Sequence, residues 1–181
     1  MARIDPLKPE DMTPEQRQTY DEVAAKGGRL GGPNGVYIRV PELFKLNQAF
    51  GDYLRNNHLN ARLRQLAAIV TVRRWNGAYA WGAQGRDALK AGISEEIVEA
   101  INARQTPVLD DADDQLVYEL ALELSDKGAL SDDSYEKAIA QLGLNQLLDL
   151  VAAVGFFTAV ALAVNVFEVA PRPEFPTSLA P

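Results

Sequence analysis

Cysteine is absent from this 181-residue sequence, and histidine occurs once, at position 58. Disulfides, thiolate metal ligands, cysteine nucleophiles and thiol redox relays are therefore excluded for these residues. A single histidine also leaves too few nitrogen ligands for a typical zinc site, and we expect no metal ion and no cofactor.

Basic residues are outnumbered, because 18 Lys and Arg face 25 Asp and Glu, for a formal net charge of -7. Nucleic acids and anionic membranes are bound by basic surfaces, so this balance predicts neither partner. The first residues, Met1 to Asp5, lack the apolar stretch of a secretion signal. We therefore predict a cytoplasmic protein.

Only one apolar run, Leu150 to Phe167, is long enough to raise the question of a membrane span. Thr158 and Asn165 interrupt it, Asp149 and Glu168 bracket it, and no Lys or Arg anchors its ends. This pattern favours a helix buried in a core, or shared between a core and a subunit interface. A membrane-associated helix is the alternative.

Strand alternation and internal repeats are also missing, while long stretches of helix formers lie between clusters of Gly and Pro. The sequence therefore predicts an all-α fold. We expect one domain over 1–181, with an N-terminal arm (1–12), a helical core (13–170) and a Pro-rich, extended C-terminal arm (171–181).

Helix start signals divide the core into eight predicted helices. They begin at Thr13 (with Pro14 and Gln16 completing a capping box), Pro41, Asn60, Gly77, Ser94, the Asp110–Asp114 run, Ser131 and Asn145. The Gly-rich stretch Arg29 to Gly35 lacks the Gly-Lys-Ser/Thr of a phosphate loop, so we interpret it as a bent connection.

The part of the chain richest in candidate chemistry contains no acid between Asp52 and Asp87. Six arginines lie there: Arg55, Arg62, Arg64, Arg73, Arg74 and Arg86. Two neighbouring helices of this kind would create a local positive field, and Arg binds carboxylates through paired hydrogen bonds. The alternative is that these arginines face water or pair with acids elsewhere in the chain or in a neighbouring subunit.

Five further side chains complete the candidate site. Gln65 lies on the third predicted helix, and Tyr79, Trp81 and Gln84 lie on the fourth. His58, at a helix break, has the only side chain whose usual pKa is near neutrality. Each has a plainer interpretation: solvated glutamines, a core tryptophan and a solvated or capping histidine.

Three stretches resemble the carboxymuconolactone decarboxylase and alkylhydroperoxidase D-like (AhpD-like) family. They are Arg62 to Ile69, Arg73 to Trp81 and Ala91 to Ile97, and residues 149–165 resemble the last helix of the same group. The resemblance implies an all-α, AhpD-like bundle, commonly a homotrimer or homohexamer. It also implies a pocket between helices and near a subunit interface.

The chain departs from the family pattern at four positions. The resemblance implies Glu at position 65, a redox Cys at 77, Cys or an acid at 80 and His at 84, but the residues are Gln65, Gly77, Ala80 and Gln84. Peroxide reduction through a cysteine pair, as in thiol peroxidases, is therefore excluded. The decarboxylase branch, which acts without a cofactor, stays open.

Two functions follow as hypotheses. The first is a cofactor-free lyase or decarboxylase acting on a small organic acid or lactone. Its roles are Arg73 or Arg74 for the carboxylate, Gln65 and Gln84 for a substrate oxygen, Trp81 for substrate contact, and Tyr79 or His58 for the proton. The second is a non-catalytic oligomer that binds a small ligand or a partner, prompted by the missing Glu, Cys and His.

Overall fold

The computed structural model describes residues 3–5, 7–28 and 30–181. Within these ranges the chain forms nine α-helices and no strand, which confirms the predicted all-α fold. The helices are α1 (Pro14–Ala25), α2 (Asn34–Tyr37), α3 (Pro41–Arg55), α4 (Ala61–Arg74), α5 (Ala78–Lys90), α6 (Glu95–Asn102), α7 (Ala112–Lys127), α8 (Asp132–Gln141) and α9 (Gly143–Val166).

Most helix starts follow the predicted signals, but α9 begins at Gly143 and not at the predicted Asn145, and no side chain caps it. The Gln16 backbone N–H donates to Thr13 Oγ1 (3.3 Å), and the Thr13 N–H donates to Gln16 Oε1 (3.0 Å), which forms the expected capping box. Asn60 accepts from the Leu63 N–H at 2.9 Å. Ser94, Asp111 and Ser131 cap α6, α7 and α8 in the same way. These side chains satisfy first-turn N–H groups that have no partner within the helix.

The N-terminal half contains two short elements that the sequence did not predict. A 3-10 turn spans Pro9–Asp11 inside the predicted arm, of which Met1, Ala2 and Pro6 lie outside the described residues. Helix α2 occupies part of the predicted bent connection, whose first residue, Arg29, is also not described. Burial explains α2: Asn34 is buried and accepts from the Asn47 side chain at 3.1 Å.

Helix α4 lies at the centre of the fold, packed against α5, α7 and α9. The apolar side chains Leu63, Leu66, Ile69, Val70 and Val72 are all in the core. Burial extends around the rest of the helix and includes the polar residues Gln65 and Arg73. A buried polar side chain must find hydrogen-bond partners inside the protein, so the partners of Gln65 and Arg73 determine what these two residues can do.

Helix α9 is the only one in the described part of the chain that is long and apolar enough to cross a membrane. It packs against α3, α4, α5, α7 and α8, and Leu150, Ala153 and Ala161 are fully buried there. A core helix passes the same test of length and composition, and this packing is that of a core helix. Leu148 and Leu162 stay exposed on its outer face.

The apolar face of α3 is wider than its contact with the core. Phe44 and Leu54 are buried, whereas Leu43, Leu46 and Phe50 are exposed, Leu46 at 68% of its surface. Within the described chain, only part of this apolar face is therefore covered.

The C-terminal segment, Pro171 to Pro181, is not helical, as predicted, but it does not extend away from the body. The Phe175 N–H donates to the Arg172 carbonyl (3.1 Å), which forms a turn, and Phe175 and Leu179 pack against the core. Asn102 fixes its end by donating to the Ser178 carbonyl and accepting from the Ala180 N–H, both at 2.9 Å. The division into arms and core stays a prediction.

Candidate functional site

A cavity of about 600 Å³ lies between α3, α4, α5, α9, the chain around α2 and the C-terminal segment. Helices α4 and α5 are the two that the sequence singled out. Ligand pockets in proteins usually hold about 300–1,000 Å³, so this volume suits a small organic molecule. Phe156, Phe157 and Val160 of α9 provide an apolar wall.

Cationic side chains dominate the charged lining of this cavity. Arg55, Arg64, Arg86, Lys90 and Arg172 line it, together with one acid, Asp87. Acidic neighbours offset part of this charge: Arg55 pairs with Asp52, Arg86 Nη2 lies 2.9 Å from Asp87 Oδ1, and Arg172 Nη1 lies 3.7 Å from Glu174 Oε1. A surplus of positive charge remains in a protein of net charge -7, and a concave, partly apolar wall strengthens the resulting field.

Two buried glutamines meet inside the pocket. Gln65 of α4 donates from Nε2 to Gln84 Oε1 of α5 at 3.3 Å, and both line the cavity. This bond uses one of the pair's four N–H donors and one of its four oxygen lone pairs, so three donors and three acceptor sites remain for other partners. An amide can orient a ligand oxygen by hydrogen bonding, but it does not exchange a proton near neutral pH.

Tyr79 brings a phenol to the pocket wall. Its hydroxyl end lies against Gly32, where an added Cβ would overlap the ring and where φ is +66°, so both space and backbone favour glycine. The other side of the ring meets Phe175 edge-on, with centroids 5.3 Å apart. Tyr79 is therefore held from two sides in a fixed position.

Arg73 and Arg74, the predicted carboxylate ligands, do not line the cavity. Arg73 is only 4% exposed; its Nε donates to the Asn102 carbonyl at 2.6 Å, and its Nη1 donates to Asn76. Burial, together with the nearby Arg104, lowers the pKa of Arg73. The guanidinium thus caps the carboxyl end of α6, where the helix dipole favours a cation.

Of the remaining arginines of the acid-free tract, some pair with acids elsewhere in the chain and others line the cavity. Arg74 pairs with Asp126 of α7, and Arg62 Nη2 lies 2.6 Å from Oδ2 of the buried Asp114. These arginines join helices. Arg55, Arg64 and Arg86 are the members of the tract that reach the cavity. The tract therefore supplies the predicted cationic pocket, but through other arginines than those named.

Trp81 and His58, two further predicted site residues, also lie apart from the cavity. Trp81 is completely buried in the core, which is the plainer of its two interpretations. His58 is bound to Asp149: Nδ1 lies 2.9 Å from Oδ2, and the His58 backbone N–H donates to the same oxygen at 2.8 Å. Neither residue lines the pocket. Of the two predicted proton donors, Tyr79 and His58, Tyr79 is the one that lines it.

Asp149 anchors a small polar cluster outside the pocket. Its carboxylate, 2% exposed, accepts both His58 bonds and one from the Tyr53 hydroxyl at 2.5 Å. Burial raises the pKa of Asp149, but the hydrogen bonds from Tyr53 and His58 outweigh it and lower the pKa overall. The bond to Asp149 raises the pKa of Tyr53. The cluster ties α3 and the α3–α4 connection to α9.

Several lining residues were not identified from the sequence. Arg172 and Phe175 come from the C-terminal segment, about which composition says only that it is extended. Asn34 and Asn47 bond to each other at 3.1 Å and belong to α2 and α3. Nothing in the sequence places these residues together, because their contacts join distant parts of the chain.

The fold defines the class of protein: an all-helical chain of the AhpD type. It is similar to an uncharacterized peroxidase-related protein from Ralstonia eutropha JMP134, described as an alkylhydroperoxidase AhpD core (TM-score 0.78, 17% identity, 96% of this chain and 94% of that one). A second peroxidase-related protein, from Silicibacter sp. TM1040, matches with TM-score 0.71, 18% identity and coverage of 98% and 93%. At such identity these likenesses establish the fold alone.

The family is identified by sequence. Residues 41–117 match the model of the carboxymuconolactone decarboxylase family, and this region of the chain belongs to that family. A comparison with curated proteins finds no significant match.

Three of the four positions at which the chain departs from the family pattern, 65, 80 and 84, line this pocket. Gln65 and Gln84 bond to each other, and Ala80 lines the cavity. Gly77 packs against α9, where an added Cβ would lie 3.1 Å from the Ala161 Cβ. No thiol, carboxylate or imidazole is present at these four positions, so chemistry here must use other groups.

Proposed function

We propose that the pocket binds a small organic acid or lactone, and that the protein is a cofactor-free lyase of the decarboxylase type. The observation that carries this proposal is the cationic surplus around a partly apolar cavity that also contains Tyr79 and the Gln65–Gln84 pair. Membership of the carboxymuconolactone decarboxylase family supports the reaction type.

An organic acid would bind to both the cationic part and the apolar part of the cavity lining. An organic acid places its carboxylate among the guanidinium groups, where charge-assisted hydrogen bonds are strongest. Its hydrocarbon part lies against Phe156, Phe157 and Val160. A neutral molecule of the same shape gains only the second contribution, so the pocket selects anions.

Decarboxylation in this pocket needs two separate functions. When the C–C bond to the carboxylate breaks, CO₂ leaves and the bonding electron pair stays on the substrate carbon, delocalised onto an adjacent carbonyl oxygen. Amide and guanidinium donors stabilise that oxygen. The Tyr79 hydroxyl then gives its proton to the carbon, and water returns a proton to the phenolate.

The alternative is a family member that binds its ligand without changing it. The Gln65–Gln84 bond favours this alternative, because two amides bond to each other where the family pattern implies an acid and an imidazole. Such a pair can recognise a ligand oxygen but cannot move a proton.

A thermal-shift screen of small aromatic and lactone acids, followed by product analysis of each hit, separates the two functions. We expect acids to raise the melting temperature and their uncharged amides to do so less. Stabilisation with CO₂ release supports the lyase, and stabilisation without product supports the binding protein. If no acid stabilises the protein more than its amide, the anion pocket is refuted.

Self-association to a homotrimer or homohexamer, in the cytoplasm and free of membrane, belongs to the same proposal. The exposed Leu43, Leu46 and Phe50 of α3 support it, since another copy would cover them. Light scattering on protein prepared without detergent should give three or six times the 19.8 kDa chain mass. Leu46→Glu should lower that mass, whereas Val108→Glu, an equally drastic change at a position that is 84% exposed, should not. A wild-type mass of one chain would refute self-association.

A further inference from the structure

We propose that the C-terminal segment, residues 171–181, is a strap that completes the pocket, and that Arg172 on this strap anchors the carboxylate of the ligand. The proposal rests on the anion-binding function above and adds to it a named ligand-binding residue. It also implies that the strap determines which molecules fit.

The strap packs closely against a surface of α5 formed by Gly82 and Gly85, which we call the seat. Gly82 and Gly85 lie three residues apart and hence on one side of the helix. An added Cβ at Gly82 would overlap the ring of Phe175, and one at Gly85 would lie 2.5 Å from Thr177 Oγ1. The strap therefore approaches the α5 backbone more closely than any side chain at these positions would allow.

Further contacts fix the strap on both sides of this seat. Phe175 meets Tyr79 edge-on, and the Arg86 guanidinium carbon lies 5.8 Å from the centre of the Phe175 ring. Asn102 of α6 holds the strap at Ser178 and Ala180 through two hydrogen bonds of 2.9 Å. Prolines in the segment reduce the conformational entropy that this docking costs. The strap is thus a fitted part of the pocket wall.

Arg172 lines the cavity, and its guanidinium is less tightly paired with an acid than that of Arg86. Its nearest described acid, Glu174, is 3.7 Å away, beyond hydrogen-bond distance, whereas Arg86 lies 2.9 Å from Asp87. Arg55 is paired with Asp52. The Nη2 atom of Arg172 lies against Gly31, where an added Cβ would overlap it, and both residues line the cavity. A planar guanidinium group in this position can bind a carboxylate through two hydrogen bonds.

Calorimetric titration with benzoate and with its neutral analogue benzamide tests the anchor. Arg172→Gln keeps a polar side chain that can donate hydrogen bonds and removes the charge, and it should weaken benzoate binding by about 10- to 100-fold while leaving benzamide unchanged. Arg74→Gln removes the same charge outside the pocket and should bind benzoate like the wild type.

A second pair of variants tests the seat without changing the strap. Gly82→Ala should weaken benzoate binding and speed hydrogen exchange at the Phe175 and Ala180 amides. Gly155→Ala makes the same change on α9, where no atom lies within 4 Å of the added Cβ, and should alter neither. If Gly82→Ala changed neither the hydrogen exchange of the strap amides nor the affinity for benzoate, the proposed role of the seat would be wrong.

The outcomes separate this proposal from the proposed function. If the wild type prefers benzoate and Arg172→Gln retains that preference, the anchor is wrong and the anion pocket stands. If the wild type shows no preference for benzoate over benzamide, or binds neither, both are wrong.

Discussion

Replacing Asp149 with alanine is expected to lower the free energy of unfolding by about 2–4 kcal/mol, because a buried carboxylate that accepts several hydrogen bonds is removed. Its three bonds, from Tyr53 and from two donors of His58, hold the α3–α4 connection against α9. Urea denaturation followed by circular dichroism measures the change. Asp133→Ala, which removes a 76% exposed carboxylate, should change stability by less than about 0.5 kcal/mol.

The same variant gives a pH prediction whose sign is fixed by the pKa shift. The pKa of Asp149 is lower in the folded protein than the usual value near 3.9 for an unfolded chain. Its contribution to stability is therefore complete above that usual value and is lost as the pH falls through the folded pKa. The stability difference between wild type and Asp149→Ala should be constant near neutrality and shrink below about pH 4. A difference that is the same at pH 7 and pH 3 would contradict this role.

Tyr79→Phe should lower the turnover of a substrate acid by about 10²- to 10⁴-fold, the usual contribution of a general acid, while changing its affinity only a few-fold. The phenylalanine ring keeps the contacts with Gly32 and Phe175, so the shape of the pocket does not change. The lower turnover is therefore due to the missing hydroxyl. Single-turnover kinetics on an acid found in the screen, with titration for affinity, makes the measurement.

Tyr135→Phe provides the matched control, because it removes a hydroxyl from a half-exposed tyrosine of α8, away from the pocket. It should leave turnover unchanged. Full turnover by Tyr79→Phe would assign proton delivery to another group, such as a bound water.

Much of the fold could be predicted because helix ends are encoded locally. Thr13, Asn60, Ser94 and Ser131 each bond within three residues of themselves, so a short window of sequence contains the whole signal. Helix α2 lacks such a signal, since its formation depends on the burial of Asn34 against α3. Contacts of that kind become visible only when the chain is folded.

The site was predictable in its chemistry and less so in its residues. The acid-free tract indicates that positive charge is concentrated on α4 and α5, but it does not say which way each guanidinium points. Arg73 points to the end of α6, whereas Arg64, on the same helix, reaches the cavity. Arg172 is more than 80 residues away from α5, and no local pattern connects the two.

The pocket's preference for an organic anion is tested most directly by titrating the wild-type protein with benzoate and benzamide at low and high salt. We expect benzoate to bind at least about tenfold more tightly at low salt, and this preference to narrow as salt screens the more exposed guanidinium groups. Equal affinities at low salt, or no binding of either compound, would show that the cationic lining does not receive a carboxylate.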